Sequence, residues 1–165
     1  MPRRYAFTTR WELDAGADRI WDALVEAERW PAWWPSVRSV VAVAPGDARG
    51  IGAVNRFTWR GRLPYALTFD MRVTEVETHR RLAGEATGEL VGTGVWTLAP
   101  NGRTTHVRYD WTVATTKAWM NAVAPLLEPA FRWNHDDVMR RGGEGLARLL
   151  GARLVTSSSP AARRA

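Results

Sequence analysis

The stretch "DRIWDALVEAERWPAWWPSV", residues 18 to 37, decides how the chain is read. Its first half has helical spacing. Ile20, Trp21, Leu24, Val25 and Ala27 recur on one face, and Asp18, or Asp14 before it, is placed to cap the helix or meet its dipole. Its second half cannot continue that helix: Pro31 predicts a stop near Trp30, and Pro35 leaves room for one further short turn. Trp30, Trp33 and Trp34 therefore crowd a segment too short for a long helix and too apolar for a solvated loop. A short helical pair pressed against something large satisfies both conditions.

What flanks the pair is mostly strand. Before it, Tyr5 to Leu13 alternates, with Tyr5, Phe7, Trp11 and Leu13 on one face and Thr8, Arg10 and Glu12 on the other. After it, strands are predicted over Val37 to Ala44, Ala53 to Arg60, Tyr65 to Thr74, Arg81 to Thr87, Glu89 to Ala99 and Thr104 to Thr115. The connections "PGDARG", "GRLP" and "PNGR" are turn-forming, and the Asn-Gly of the last is a strong hairpin signal. Consecutive strands with short turns make an antiparallel meander.

A final helix spans roughly residues 117 to 151, and Pro125 and Pro129 are expected to kink or interrupt it. Beyond them Phe131, His135, Val138, Met139, Gly142, Leu146, Leu149 and Leu150 share a side. Asp136, Asp137, Arg140, Arg141, Glu144 and Arg148 fall mostly opposite. The organisation is one domain over residues 1 to 152 and a polar, disordered tail over 153 to 165.

Composition removes several function classes. The net charge is +6 over 165 residues, but Arg3, Arg4, Arg153, Arg163 and Arg164 sit at the ends. Without those five, 18 of the 23 basic residues face 17 acidic ones, so the body lacks the basic stripe of a nucleic-acid binder. No apolar run reaches the ~18 residues that a membrane span needs. Met1-Pro2-Arg3-Arg4 is followed by no apolar leader, which predicts a cytoplasmic protein. Cysteine is absent. The histidines at 79, 106 and 135 form no metal-ligand cluster, so no metal and no cofactor is expected. Gly92-x-Gly94 lacks the third glycine of a dinucleotide fingerprint.

The element order, "DRIWDALVEAERWPAWWPSV" and "FRWNHDDVMRRGGEGLARLLG" (residues 131 to 151) together resemble the helix-grip superfamily. It contains START lipid-transfer domains, birch-pollen-allergen-like proteins and aromatic polyketide cyclases. The resemblance covers roughly residues 5 to 151. It implies an α+β fold in which a seven-stranded curved antiparallel sheet wraps a long C-terminal helix, with two short helices after the first strand. It also implies a cavity between sheet and helix, with Trp30, Trp33 and Trp34 plugging one end. "GRLP" looks like the mobile gate loop of the superfamily's plant hormone receptors, and the loops near 60–65, 86–88 and 115–120 would frame the mouth.

Glycines at 92 and 94 on a strand, and at 142 and 145 on the helix, either let sheet and helix touch or leave a hollow. His135 lies within the apolar stripe of the helix, where an imidazole can act as acid/base or hydrogen-bond a ligand, with Asn134 beside it to orient either. The candidate ligand-binding set on the sheet is Trp59, Tyr65, Phe69, Trp96, Tyr109 and Trp111. On the helix it is Phe131, Asn134, His135, Val138 and Gly142. The functional expectation is a protein, monomeric or homodimeric, that binds a hydrophobic, aromatic or polycyclic small molecule or lipid. A polyketide aromatase/cyclase-type enzyme using His135 is the alternative, and an interaction module presenting the Trp-rich edge is the third reading.

Overall fold

The computed structural model describes residues 4–160. It opens with strand β1 (Arg4–Leu13), followed by helix α1 (Ala17–Val25), a 3₁₀ turn (Ala27–Arg29) and helix α2 (Trp30–Trp33). Strands β2 (Val37–Ala44), β3 (Val54–Trp59), β4 (Leu67–Glu77), β5 (Arg81–Gly88), β6 (Leu90–Asn101) and β7 (Thr104–Thr115) follow in a run. Helix α3 (Ala118–Leu150) and strand β8 (Leu154–Ser158) close the chain. The strands form one antiparallel sheet in the order β2-β3-β4-β5-β6-β7-β1-β8. The meander is completed when β1 pairs back onto β7, Trp11 opposite Val107. The α+β helix-grip arrangement is therefore the one expected.

Three details differ from the sequence reading, each for a physical reason. The sheet has eight strands, because the polar segment after α3 pairs with β1, Trp11 opposite Ser157 and Glu12 opposite Thr156. Of the polar tail, residues 161–165 lie outside the described residues. Second, Pro31 does not stop α1, which ends at Val25; it sits in the first turn of α2. Proline suits that position because its missing N–H would have no intrahelical partner there. Third, α3 runs unbroken from Ala118 to Leu150 through Pro125 and Pro129. Both prolines are exposed, so water can satisfy the carbonyls that they deprive of a donor. At α1 the N-cap is Gly16 with no side-chain cap, while Asp18 lies in the first turn, where it meets the helix dipole as expected; Val25, placed on the apolar face, is exposed.

The core is dominated by indoles. Trp11, Trp30, Trp33, Trp34 and Trp96 are all buried in one cluster with Leu13, Ile20, Leu24 and Leu146. Trp34 stacks on Trp33 at 5.4 Å and meets Trp11 edge-on at 5.7 Å. Helix α3 accommodates them by having no side chains where they press. A Cβ at Gly142 would collide with the Trp34 indole, one at Gly143 would lie 2.9 Å from Trp11 Nε1, and one at Gly145 would strike the Trp33 carbonyl oxygen. The Trp34 N–H donates to the Val138 carbonyl at 2.9 Å, and that of Trp30 is shared between the Ala23 and Leu24 carbonyls at 3.2 Å. Residues 30 to 34 are thus a plug welded to the helix, and they leave no Trp-rich edge open to a partner.

Candidate functional site

Where α3 is not pressed onto the tryptophans, it stands off the sheet. Between its stretch Met120 to Met139 and strands β1, β4 and β7 lies a cavity of about 150 Å³. The sheet supplies the walls by period-two alternation. Tyr5 and Phe7 come from β1, Leu67 and Phe69 from β4, and Tyr109, Trp111 and Val113 from β7. The helix supplies Phe131, Asn134, His135 and Val138 along one face. Among the described residues no Asp, Glu, Lys or Arg lines this chamber. A second chamber of about 190 Å³ lies towards α1 and β5, lined by Trp30, Phe57, Met71, Leu82 and Trp96 among others, and by Arg49 and Arg72. Trp59, Phe69 and Tyr109 belong to the walls of both.

His135 is the imidazole of the first chamber, which it shares with the phenols of Tyr5, Tyr65 and Tyr109. Its ring stacks on Phe7 at 3.9 Å, and its side chain keeps 14% exposure. Burial pushes its pKa below the ordinary 6.5; the hydrogen bond and charge of Asp136 oppose the shift, and Arg132 adds to it. The imidazole is therefore neutral at pH 7. Its Nδ1 lies 3.4 Å from Asp136 Oδ1, which assigns the proton to Nδ1 and leaves Nε2 as an acceptor. That Nε2 is buried and has no hydrogen-bond partner among the described residues. Tyr109 stacks on Trp96 at 4.1 Å, and burial raises its phenol pKa well above the usual value, so it serves as a neutral hydroxyl. Burial raises the pKa of Tyr65 as well, and Tyr5 nearby adds to the effect.

Asn134 takes a different part from the one expected. Instead of orienting His135, its Oδ1 accepts the backbone N–H groups of Arg62 (2.8 Å) and Leu63 (3.2 Å). The "GRLP" loop is thereby latched to α3 across the mouth. Arg62 extends the latch: its Nε donates to Asp137 Oδ2 at 3.0 Å, and its guanidinium lies 5.9 Å from the Trp133 ring centre. Asp137, which periodicity places on the solvent side, is only 9% exposed and is met by Arg62, Arg140 and Arg141. Burial opposes its ionisation, but the hydrogen bonds from Arg140 and Arg62 and the charge of Arg141 together outweigh it, and its pKa is lowered.

Of the candidate residues, Trp59, Tyr65, Phe69, Tyr109, Trp111, Phe131, Asn134, His135 and Val138 meet in the first chamber. Trp96 lines the second instead, and Gly142 lines neither, because Trp34 covers it. Gly94 lines the second chamber and also serves close packing, since a Cβ there would stand 2.5 Å from the Tyr109 hydroxyl. Tyr5, Phe7, Met120 and Met139 line the first chamber without having been singled out. Tyr5 and Phe7 were legible in principle, since they alternate in phase with Trp11. Of the three loops expected at the mouth, the first and third contribute Gly61 and Tyr65, and Thr115 and Met120.

The family model described as "Polyketide cyclase / dehydrase and lipid transport" matches residues 4–151. No protein of curated function matches the chain in sequence. Among solved structures, the di-domain ARO/CYC BexL from the BE-7585A biosynthetic pathway superposes with a TM-score of 0.70 at 22% identity, over 91% of this chain and 51% of that one. The chain thus spans about half of that di-domain protein. A START superfamily protein from Mycobacterium smegmatis gives 0.70 at 14% identity, covering 90% of this chain and 97% of that one. The Zhui aromatase/cyclase from Streptomyces sp. R1128 gives 0.64 at 15%, covering 89% and 96%. At these identities the likeness is one of fold. No helix among the described residues is long and apolar enough to cross a membrane.

Proposed function

The chain belongs to the polyketide cyclase/dehydrase and lipid transport family, and we propose from the chemistry of its cavity that it binds a hydrophobic aromatic small molecule between α3 and the sheet. One observation carries this reading. The chamber is walled by apolar and aromatic side chains, no charged side chain lines it among the described residues, and it holds a neutral imidazole whose Nε2 has no partner. A water-filled void would leave those walls poorly solvated. A flat, uncharged ring system would cover them, and a hydroxyl on it would donate to His135 Nε2. Burying ring surface here contributes about 25 cal/mol per Å².

The neutral His135 also favours a second reading, an aromatase/cyclase-type enzyme. An imidazole with a free acceptor in an apolar pocket can take a proton from the carbon between two ketones and return it to a departing hydroxyl as water is lost. The two readings separate on one variant. The binder reading expects hydrophobic aromatic compounds to raise the melting temperature and to be retained in native mass spectra. The enzymatic reading expects His135→Ala to abolish turnover of a poly-β-ketone while ligand affinity stays measurable. A melting temperature that no lipophilic compound moves refutes both.

A further inference from the structure

The hollow does not end at the chamber that holds His135. Behind Trp59, Phe69 and Tyr109 lies the second chamber, of about 190 Å³, and these three side chains form the partition. Trp59 is held by packing alone, and of the buried indoles Trp11 shares with it an N–H that has no partner among the described residues. Trp59 meets Trp34 edge-on at 4.8 Å, while Trp30 and Phe57 stand 6.2 and 6.3 Å away. Trp30 and Trp34 each donate to a backbone carbonyl, but the Trp59 N–H is buried with no hydrogen-bond partner among the described residues. No polar bond holds this ring in place, and because a buried donor left unmade is costly, an acceptor would improve its position. Size points the same way. An apolar cavity of ~150 Å³ accepts benzene, whereas small-molecule sites run from ~300 Å³ upward.

We propose that the two chambers are one elongated binding site with Trp59 as a movable divider. Its ligand is an uncharged molecule of several fused or linked rings that lies in both chambers at once and presents an oxygen acceptor to the Trp59 N–H near its middle. The proposal rests on the binder reading above and extends it to the second chamber. One end of the ligand meets His135, and the other lies among Phe57, Met71, Leu82 and Trp96, with Asn55 and the exposed Arg49 and Arg72 also on the wall of that chamber.

The test uses two probes of different length, 4-ethylphenol with one ring and 1-hydroxypyrene with four. Each is titrated into the wild type and into two variants that narrow only the second chamber, Ala83→Leu and Met71→Phe. The second variant sets a larger, rigid ring where a flexible thioether can move aside, adds less volume than the first, and keeps the experiment decisive if the first does not fold. In each folded variant, 1-hydroxypyrene affinity is expected to fall about ten-fold or more, while 4-ethylphenol affinity stays within about two-fold. If the wild type binds 4-ethylphenol but the two probes respond alike to the variants, the elongated site is overturned and the binder reading stands. If the wild type binds neither probe, both fall.

Discussion

Replacing Gly142 by alanine tests whether α3 is seated on the tryptophan plug as described. In an unobstructed helix interior the change stabilises by about 1 kcal/mol, because glycine is the poorer helix former. Here the new methyl would come within 2.5 Å of Trp34 Cζ2 and 2.7 Å of its Nε1. The indole has nowhere to retreat: it is 1% exposed, stacked on Trp33 and backed by Trp30 at 5.3 Å. Lifting it would also stretch its hydrogen bond to the Val138 carbonyl, one helical turn before Gly142. Overpacking costs about 1–3 kcal/mol and the hydrogen bond about 0.5–1.5 kcal/mol, so the propensity gain is outweighed. The expected result of Gly142→Ala is a net loss of about 1–3 kcal/mol in denaturant unfolding with an unchanged m-value. In calorimetry the melting temperature should drop by about 2–4 °C per kcal/mol. An unchanged or higher melting temperature would refute the reasoning, since the helix would then stand clear of Trp34.

Two further outcomes follow from the cavity and its latch. The folded state resists protonating His135, whereas the unfolded chain takes up that proton near the ordinary 6.5. Stability is therefore lost as pH falls through 6.5 towards the depressed folded value. The difference in unfolding free energy between wild type and His135→Phe should be flat above neutrality and slope below it; a difference independent of pH excludes the assignment. Asn134→Ala should release the Arg62 and Leu63 amides and cost about 1–2 kcal/mol. It should also speed tryptic cleavage after Arg62, and equal cleavage rates would show that the loop is held by something else.

The elements that bury one clean face were legible in the sequence. Strands β4 and β7 alternate strictly, and the paired prolines at 31 and 35 confine α2 to a single turn. Strand β8 was hidden because "LVTSS" is an edge strand with little burial, so no apolar alternation marks it. The continuity of α3 was hidden because proline is read locally, while the exposure that makes Pro125 and Pro129 tolerable is set by tertiary placement. At the site, the inward aromatics of β3, β4 and β7 follow from periodicity. The part played by Asp137 does not, since the arginine that draws it in arrives from a loop 75 residues away. Gly142 misled because an absent side chain on an inner face reads alike whether a hollow or an indole fills the space.

Strand β8 has a mechanical consequence. Just beyond α3 the chain is stitched to the sheet: Arg19 Nη2 donates to the Leu150 carbonyl at 2.6 Å, the Asp14 amide to that of Arg153 at 2.9 Å, and β8 then runs along β1. At the other end of the rod, Trp119, Leu126 and Leu127 face outward and two prolines weaken the backbone ladder. The rod is thus fixed at its heel by backbone bonds to the sheet, whereas its proline-bearing end is held by side-chain contacts, Lys117 to Glu89 and Met120 and Ala124 in the core, as a clothes-peg is fixed at the spring and only closed at the jaw.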